Sequence, residues 1–384
     1  MADPTKAFSR RFGRDPVFRA RAPGRVEFIG NHTDYNGGEV LGAAVDRFLS
    51  VRVAPREDGA LRFASEGNPR TVSFPDQARA FDAAEGWVRY PLGVLSLLRE
   101  KGAAPDHGFD FLVGSEIPSG AGLSSSAAFE LASSLVFEAM AGVSLEPLER
   151  VRLCRRAENE VVGVPCGILD QAVSGFGEAG RLVHIDCAEE KITTVDGPAE
   201  SRLWIFESGQ KHSLVDSLYS ERHRECGEAL AVLRERDPGL RWLAHADPGS
   251  LGYVRERAGD TVYRRARHIV EENRRVRDCV AKLAAGDLAG VGRLLLESHR
   301  SSSTLFENSI AELDTLVELL DGREAVRGAR LTGGGFGGAV MALCGDGFTE
   351  ESAAAVAAGF AERHGAEPTF RRLEIAGGAG EERS

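Results

Sequence analysis

The sequence has little positive charge, no long apolar run and no paired cysteines, and each absence excludes a class of protein. It contains 47 Lys and Arg and 58 Asp and Glu, which gives a formal charge of −11 over 384 residues. We expect no nucleic-acid partner, because the chain lacks the basic surface that such binding requires. We expect no membrane partner, since no segment approaches the roughly 18 apolar residues of a spanning helix.

Cysteine is scarce and scattered. The six cysteines contain no C-x-x-C pair, which argues against a zinc site and against a disulfide framework. The N-terminal segment is charged and has no apolar core, so it does not resemble a secretion signal. These features predict a cytoplasmic protein in which the thiols are free and mostly buried.

The length and the hydrophobic content of 42% predict a globular chain with two domains. A turn-like stretch around 196–200 suggests the boundary, with domains at 1–195 and 196–384. The second half is richer in long charged helices, predicted at 219–235, 250–285, 286–299 and 310–321. The glycine-rich tail from residue 377 is predicted to be frayed.

A polar loop follows a short apolar stretch near the N-terminus. After Val26–Ile29 come Asn31-His32-Thr33-Asp34-Tyr35-Asn36, and two glycines close the loop. A loop that only reverses the chain needs the glycines and at most one Asn. A polar surface turn and a ligand-binding loop, with Arg25 just ahead of it, are both compatible with this pattern.

Small residues lead into a helix at 118–126. Gly120 and Gly122 let backbone amides turn inward, and Ser124-Ser125-Ser126 begin the helix. One serine would cap an ordinary helix, whereas three after Gly-Ala-Gly favour a phosphate held by free amides and the helix dipole. The loop is not a Walker loop, because no Gly-Lys-Ser/Thr follows the glycines.

A second glycine cluster, Gly333–Gly338, contains the spacing G-x-G-x-x-G of dinucleotide-binding proteins. That motif must open a helix, but the residues that follow predict a strand. An NAD-dependent dehydrogenase is therefore disfavoured. The cluster predicts either a flexible turn or a place where backbone approaches another group closely.

Two acidic residues in apolar surroundings are candidates for chemistry. Asp170 lies among Ile168, Leu169 and Val173, where it would be a helix cap, a satisfied core residue or a proton acceptor. Glu158 shares the buried side of a predicted helix and needs a partner there. A salt bridge to a neighbouring arginine and a magnesium ion near phosphate are equally compatible with the sequence.

Taken together, these stretches resemble the galactokinases, within the larger family of galactokinase, homoserine, mevalonate and phosphomevalonate kinases. The resemblance rests on four ordered motifs: APGRVEFIGNHTDYNGG, PSGAGLSSSAA, CGILDQ and GARLTGGGFGG. KHSLVDSLYSERHRECGEA and NSIAELDTLV also look like galactokinase segments, so the match covers nearly the whole chain. Four motifs in order are far more specific than any one of them.

The resemblance implies an α+β fold of two domains, of the galactokinase and mevalonate kinase type, with the active site in the cleft between them. It implies ATP-dependent phosphorylation of the anomeric hydroxyl of a hexose, with D-galactose as the first choice. ATP would be the co-substrate and Mg²⁺ the cofactor. We expect the sugar and ATP to be the small-molecule partners, and the protein to be a monomer or weak dimer.

The resemblance also implies residue roles. Arg25 and Asp170 would be catalytic, with Asp170 orienting or deprotonating the anomeric hydroxyl. The sugar would be held by Asn31, His32, Thr33, Asp34, Gly167 and Tyr219. ATP would be contacted by Gly120, Ala121, Gly122, Leu123, Ser124, Ser125, Ser126, Gly334 and Gly335. Magnesium would be bound by Ser126 and Glu158.

One departure affects the identity of the sugar. Galactokinases usually read G-R-V-N-L-I-G-E-H-T-D-Y, whereas here Glu27 replaces the Asn and Asn31 replaces the Glu. The family's Glu lies near the sugar's C6 hydroxyl, and Asn cannot be a charged acceptor. The alternatives are a kinase for another aldose or a C6-altered sugar such as a uronic acid, and a non-catalytic sensor. We expect Glu27 and Asn31 to be near neighbours in one hydrogen-bonded unit.

Overall fold

A computed structural model describes residues 4–83, 85–118, 122–164, 166–211 and 215–382. The fold mixes helices with strands in two sheets, as predicted. The strands are β1 (Phe18–Ile29), β2 (Glu39–Arg56), β3 (Leu61–Ser65), β4 (Thr71–Phe74), β5 (Gly108–Ser115), β6 (Arg181–Asp186), β7 (Lys191–Asp196), β8 (Ser201–Lys211), β9 (Val326–Thr332), β10 (Gly337–Gly345), β11 (Thr369–Leu373) and β12 (Gly380–Glu381). The α-helices are α1 (Pro4–Phe12), α2 (Gln77–Ala83), α3 (Arg89–Glu100), α4 (Ser125–Ala141), α5 (Pro147–Arg156), α6 (Leu169–Phe176), α7 (Val215–Arg234), α8 (Leu251–Ala284), α9 (Leu288–Ser301), α10 (Ala311–Leu320) and α11 (Glu350–His364).

The first sheet has the strand order β12-β1-β2-β5-β3-β4, and β6 pairs with both β2 and β7. β1 and β2 run antiparallel over nearly their whole lengths. The register shifts between Pro23 and Arg25 and again between Glu27 and Ile29. Such irregularities bend a strand and re-aim its side chains. Here they flank the part of β1 that carries Arg25 and Glu27.

The second sheet has the order β11-β8-β10-β9. Alternate residues of β8 face different neighbours, as the two-residue repeat of a strand requires. Trp204 and Phe206 join a cluster with α10 and α11, while Leu203 and Ile205 join the larger core that also includes the first sheet. The second sheet is therefore packed on both faces, and one of them contributes to a core shared by the two halves of the chain.

The predicted domain boundary lies between the two sheets in the sequence. β7, in the first sheet, ends at Asp196, and β8, in the second, begins at Ser201. The bounds 1–195 and 196–384 stay a prediction. The chain also returns to the first sheet at its end, because β12 pairs with β1.

The prediction of a frayed tail was wrong. Gly380 and Glu381 pair antiparallel with Arg21 and Ala20 on the edge of the first sheet. The adjacent Glu382 accepts a hydrogen bond from Arg52 at 3.2 Å. Backbone pairing does not depend on apolar side chains, so a tail without an apolar pattern is held by an open strand edge.

The predicted helices of the second half are present, with one break. Gly259 in α8 has φ 85° and ψ 177°, so the chain bends there and two helices meet. α11 was not predicted, because its run of alanines gives little apolar periodicity. Shorter turns of 3₁₀ type occur at Asp34–Asn36, Gly86–Val88, Leu243–His245 and Pro248–Ser250, and turns of π type at Ala157–Val162 and Ser302–Phe306.

No α-helix in the described part of the chain is long and apolar enough to cross a membrane.

Candidate active site

The loop after β1 has an irregular and closely packed backbone. Gly30 has φ 115°, and a Cβ there would lie 2.9 Å from the Cα of Val40, so only glycine fits. His32 has φ 59°, a left-handed conformation that is uncommon for residues other than glycine. Residues Asp34–Asn36 then form a 3₁₀ turn. Backbone of this kind is often found at functional sites.

A cavity of about 360 Å³ lies beside this loop, within the size range of small-ligand sites. Both halves of the chain contribute to its wall, as the predicted cleft requires. It is lined by Arg25, Glu27, Asn31, His32, Asp34, Glu158, Gly163, Val164, Cys166, Gly167, Leu169, Asp170, Tyr219, Ser220, Gly333 and Gly334. The sequence-predicted residues Arg25, Asn31, His32, Asp34, Glu158, Gly167, Asp170, Tyr219 and Gly334 are therefore brought together.

Arg25 and Asp170 form a two-pronged ion pair in this cavity. The Nε of Arg25 lies 2.6 Å from Oδ1 of Asp170, and its Nη2 lies 2.8 Å from Oδ2. Burial alone would lower the pKa of Arg25, but the charge and hydrogen bonds of Asp170 raise it above its ordinary value. The Nη1 of Arg25 donates to the carbonyl of Gly122 at 2.6 Å. One guanidinium thus links the carboxylate to the small-residue loop.

The loop before α4 presents free backbone amides. Ser124 has φ 53° and does not cap the helix with its side chain. Its hydroxyl donates instead to Oδ2 of Asp170. The amides of Ser125 and Ser126 at the start of α4 therefore have no side-chain cap from Ser124, which is the arrangement that binds phosphate. Of the predicted ATP contacts, Gly120 and Ala121 lie outside the described residues.

Glu158 lies on the π turn that continues α5, and it is buried. Its Oε2 accepts a hydrogen bond from Nε2 of Gln171 at 2.6 Å, and it is also hydrogen-bonded to Ser126. Burial raises the pKa of Glu158, and the nearby Asp170 raises it further. The alternative of a salt bridge to a neighbouring arginine was wrong, because Arg155 and Arg156 pair with other acids.

Asp34 points its carboxyl at Gly167. A Cβ on Gly167 would lie 1.8 Å from Oδ2 of Asp34, so the absence of a side chain there makes room for the carboxyl. Burial raises the pKa of Asp34 to about 7, and the charges of Glu27 and Asp170 add to the increase. Asp34 is therefore a half-ionised acceptor in the cavity near neutral pH.

The two nitrogens of His32 are both hydrogen-bonded within the protein. Nε2 lies 2.9 Å from the carbonyl of Gly334, and Nδ1 lies 2.9 Å from the hydroxyl of Tyr35. Since a carbonyl only accepts, the proton must be on Nε2, and Nδ1 accepts from Tyr35. Burial lowers the pKa of His32 to about 3, so the ring is neutral. The ring also lies 5.1 Å from that of Tyr219.

Comparison with known proteins gives one consistent result. Three family models match the chain: the galactokinase galactose-binding signature at residues 6–55, the N-terminal domain of the GHMP kinases at 89–178, and their C-terminal domain at 279–366. The galactokinase of Chloroflexus aggregans is 38% identical over 97% of this chain and 95% of its own. The human galactokinase is 37% identical over 99% of this chain and 96% of its own.

The chain belongs to the galactokinase family.

Solved structures agree with this assignment. The crystal structure of the Lactococcus lactis galactokinase with galactose superimposes with a TM-score of 0.93, at 33% identity and over 98% of both chains. A mevalonate kinase superimposes with a TM-score of 0.66 at 16% identity, covering 94% of this chain and 99% of its own, which shows the shared fold alone. The two-domain galactokinase and mevalonate kinase fold predicted from the sequence is thereby confirmed.

Asn31 and Thr33 hold the galactokinase loop in place. The amide of Asn31 donates to Oε1 of Glu27 at 3.0 Å and to the carbonyl of Gly333 at 2.8 Å. Its Oδ1 accepts from Ser302 and Asn308. All four positions of this amide are thus occupied. Thr33 is fully buried, bonds two backbone carbonyls and does not line the cavity.

These contacts leave two predicted sugar ligands without support. Both side chains have their hydrogen bonds inside the protein, so direct sugar contact by Asn31 and Thr33 stays a prediction that the geometry disfavours. The expectation that Glu27 and Asn31 are near neighbours in one hydrogen-bonded unit is confirmed. Both residues are buried.

Two buried charged residues behind the loop were not predicted from the sequence. Glu272 of α8 accepts from the backbone amides of Gly30 and Asn31. Burial alone would raise its pKa, but the charge of Arg275 and other neighbours lower it to about 2. Arg330 of β9 has a fully buried side chain and donates to Oε1 of Glu27 at 2.8 Å. These charges tie the loop to the second half of the chain.

Helix spacing could have pointed to Glu272. Ile269 and Val276, both fully buried, lie three residues before it and four after it, so it belongs to the same buried stripe. A buried acid on an apolar stripe needs a partner. Arg330 gave a similar indication, since it stands between Ala329 and Leu331 in β9.

The glycine cluster Gly333–Gly338 packs closely against the loop after β1 and against Asn308. The carbonyl of Gly334 accepts from His32 and from Asn308. Gly335 has φ 79°, and a Cβ there would lie 2.2 Å from the carbonyl of Asn308. Gly335 does not line the cavity, whereas Gly334 does. Close backbone approach explains these glycines, and their predicted contact with ATP stays a prediction.

Proposed function

We propose that this protein transfers the γ-phosphoryl group of ATP to the anomeric hydroxyl of D-galactose. The observation that carries the proposal is the position of Asp170, which lines the cavity and accepts a hydrogen bond from Ser124 at the start of α4. The family supports ATP as co-substrate, and the Lactococcus lactis relative, solved with galactose, supports the choice of sugar.

Asp170 is proposed to hold the attacking hydroxyl. A carboxylate has about four acceptor positions, and the described residues fill three of them through Arg25 and Ser124. The remaining position is available to the hydroxyl proton of the sugar. Because a sugar hydroxyl is a poor nucleophile, this acceptor must lie within roughly 2.6–3.2 Å of it in the reactive complex.

Arg25 and the start of α4 are proposed to stabilise the charge that moves during transfer. Phosphoryl transfer depends mainly on in-line positioning and charge neutralisation. Arg25 contacts both Asp170 and the carbonyl of Gly122, so it lies between the two reactants. The free amides of α4 add positive potential beside the phosphates without reorganisation.

The residues around Glu158 fit a magnesium ion. In the described part of the chain, no group of three or more His, Cys, Asp or Glu gathers to bind a metal by itself. Mg²⁺ is typically held by one or two carboxylates together with substrate phosphates, and Glu158 with the Ser126 hydroxyl supplies such a set. When bound, the ion would neutralise phosphate charge.

Asp34 and Tyr219 are proposed to hold the sugar. Both line the cavity, and Asp34 keeps its carboxyl free of other described side chains. Tyr219 also packs against Gly334, because a Cβ added to Gly334 would lie 3.4 Å from the ring of Tyr219. The ring of His32 completes this wall, with its nitrogens occupied by protein partners.

The proposal is tested by ATP consumption over a panel of aldoses and uronic acids, with the phosphorylated carbon located by NMR. We expect D-galactose to give the highest kcat/KM and the phosphate to be on C1. Phosphate on another carbon, or a higher kcat/KM with a C6-altered sugar, would replace galactose by the alternative substrate. Binding of sugar and ATP without turnover would instead support a sensor.

The reducing cytoplasm is the proposed location, and a monomer or weak dimer the proposed assembly. All six cysteines are free, and five of them are buried. Such thiols need no oxidising compartment. Light scattering of the purified protein tests the assembly.

A further inference from the structure

The two oxygens of the Glu27 carboxylate have different surroundings. Oε1 accepts hydrogen bonds from Nη2 of Arg330 at 2.8 Å and from Nδ2 of Asn31 at 3.0 Å. No described residue donates to Oε2. The side chain is 5% exposed and lines the cavity. One oxygen thus fixes the side chain, while the other is left as an unused acceptor at the cavity wall.

The neighbouring polar side chains cannot take that role. Asn31 uses both its amide hydrogens and its oxygen on protein partners. His32 has both ring nitrogens bonded to Tyr35 and Gly334. Glu27 therefore offers a free acceptor beside Asn31 and His32, while the other free carboxyl of the wall, that of Asp34, lies against Gly167.

The position of Glu27 along β1 relates it to the reacting end of the cavity. Arg25, which holds Asp170, precedes it by two residues. Side chains two apart on a strand share a face and lie about 6.6 Å apart. A sugar whose anomeric hydroxyl meets Asp170 therefore extends its far end towards Glu27.

We propose that Oε2 of Glu27 accepts a hydrogen bond from a sugar hydroxyl at C4 or C6, and that its charge rejects sugars with a carboxylate at that end. This inference rests on the proposed function and adds a specificity-determining residue to it. It also selects among the alternatives, because it disfavours uronic acids.

The substitution Glu27→Gln isolates this role. Arg330 and Asn31 both donate to Oε1, so they fix the amide of the new side chain with its oxygen towards them. The NH₂ group then replaces Oε2 at the cavity wall. The buried network keeps its hydrogen bonds, while the cavity exchanges an acceptor for a donor and loses a negative charge.

The test measures kcat/KM of the wild type and of Glu27→Gln for galactose, its 2-, 3-, 4- and 6-deoxy derivatives, and galacturonate. We expect the substitution to lower kcat/KM for galactose by about tenfold, as for a hydrogen bond to a charged group. For the derivative that lacks the bonded hydroxyl, either the 4-deoxy or the 6-deoxy sugar, Glu27→Gln and the wild type should have the same kcat/KM. The ratio of galacturonate to galactose should rise at least about tenfold, because like charges no longer meet.

Two further variants separate binding from folding. Ser302→Ala removes one of the bonds to Oδ1 of Asn31 without changing the acceptor at the wall, so its ratios among the six sugars should match the wild type. Glu27→Asp keeps the charge near Arg330 but withdraws it from the cavity, and should lose the same discrimination. The variant Glu27→Asp therefore tests the inference even if Glu27→Gln does not fold.

An equal loss on galactose and all four of its deoxy derivatives, with no change in the galacturonate ratio, would overturn the inference and leave Glu27 a structural residue. That result is distinct from failure of the proposed function, in which the wild-type protein itself would not phosphorylate galactose.

Discussion

Replacing Gly167 by alanine should selectively damage sugar binding. The new Cβ would lie 1.8 Å from Oδ2 and 2.4 Å from Cγ of Asp34. The carboxyl must retreat by at least about 1.6 Å to reach an ordinary van der Waals separation. Asp34 lies in a 3₁₀ turn of a closely packed loop, so this movement takes it away from any hydroxyl that it binds.

The size of the effect follows from the hydrogen bonds at stake. A hydrogen bond to a charged group contributes about 1.5–3 kcal/mol, and 1.4 kcal/mol corresponds to tenfold. We therefore expect kcat/KM for the sugar to fall roughly 10- to 100-fold in Gly167→Ala. The KM for ATP should stay within about twofold, because Gly167 lies on the cavity wall that we propose to bind the sugar.

Steady-state kinetics with a mutant cycle measures this effect. Asp34→Ala should show a similar loss, and adding Gly167→Ala to it should cost little more, since the clashing carboxyl is gone. Gly227→Ala on α7 is the matched control, because its Cβ would meet no atom within 4 Å. The reasoning fails if Gly167→Ala keeps normal kcat/KM, or if its loss is undiminished in the Asp34→Ala background.

Three further outcomes are expected from the site. Asp170→Asn should lower kcat by at least about 10²-fold while ATP affinity, measured by calorimetry, changes little; turnover within a few-fold of the wild type would make Asp170 structural. Ser126→Ala and Glu158→Gln should each raise the Mg²⁺ concentration needed for half-maximal rate, and the double variant should lose less than the sum of the two effects; unchanged Mg²⁺ titrations would refute the assignment. Burial raises the pKa of Asp34 to about 7, so Asp34 is protonated below that pH in the free protein. We therefore expect kcat/KM for the sugar to rise with pH through about 7, and Asp34→Asn to abolish that inflection. The same shift means that Asp34 favours the folded state at low pH, and that this contribution is lost as pH rises from about 4 to 7.

Local sequence determined most of the elements and most of the candidate site. Helix spacing predicted α7, α8, α9 and α10, and the residues after Gly338 correctly predicted a strand rather than a dinucleotide-binding helix. The motifs also indicated Arg25, Asp34 and Asp170, which line one cavity. Such predictions succeed because periodicity, glycine conformation and helix starts depend on neighbours in the chain.

Only the tertiary structure decided which polar groups face the cavity. Asn31 and Glu27 are both polar in the sequence. Partners more than 270 residues away fill three of the four hydrogen-bonding positions of Asn31, whereas Arg330 bonds only one oxygen of Glu27. The same holds for the tail, which an open strand edge captures. Hydrogen-bond saturation depends on groups that folding brings together from distant parts of the chain, and no local pattern encodes it.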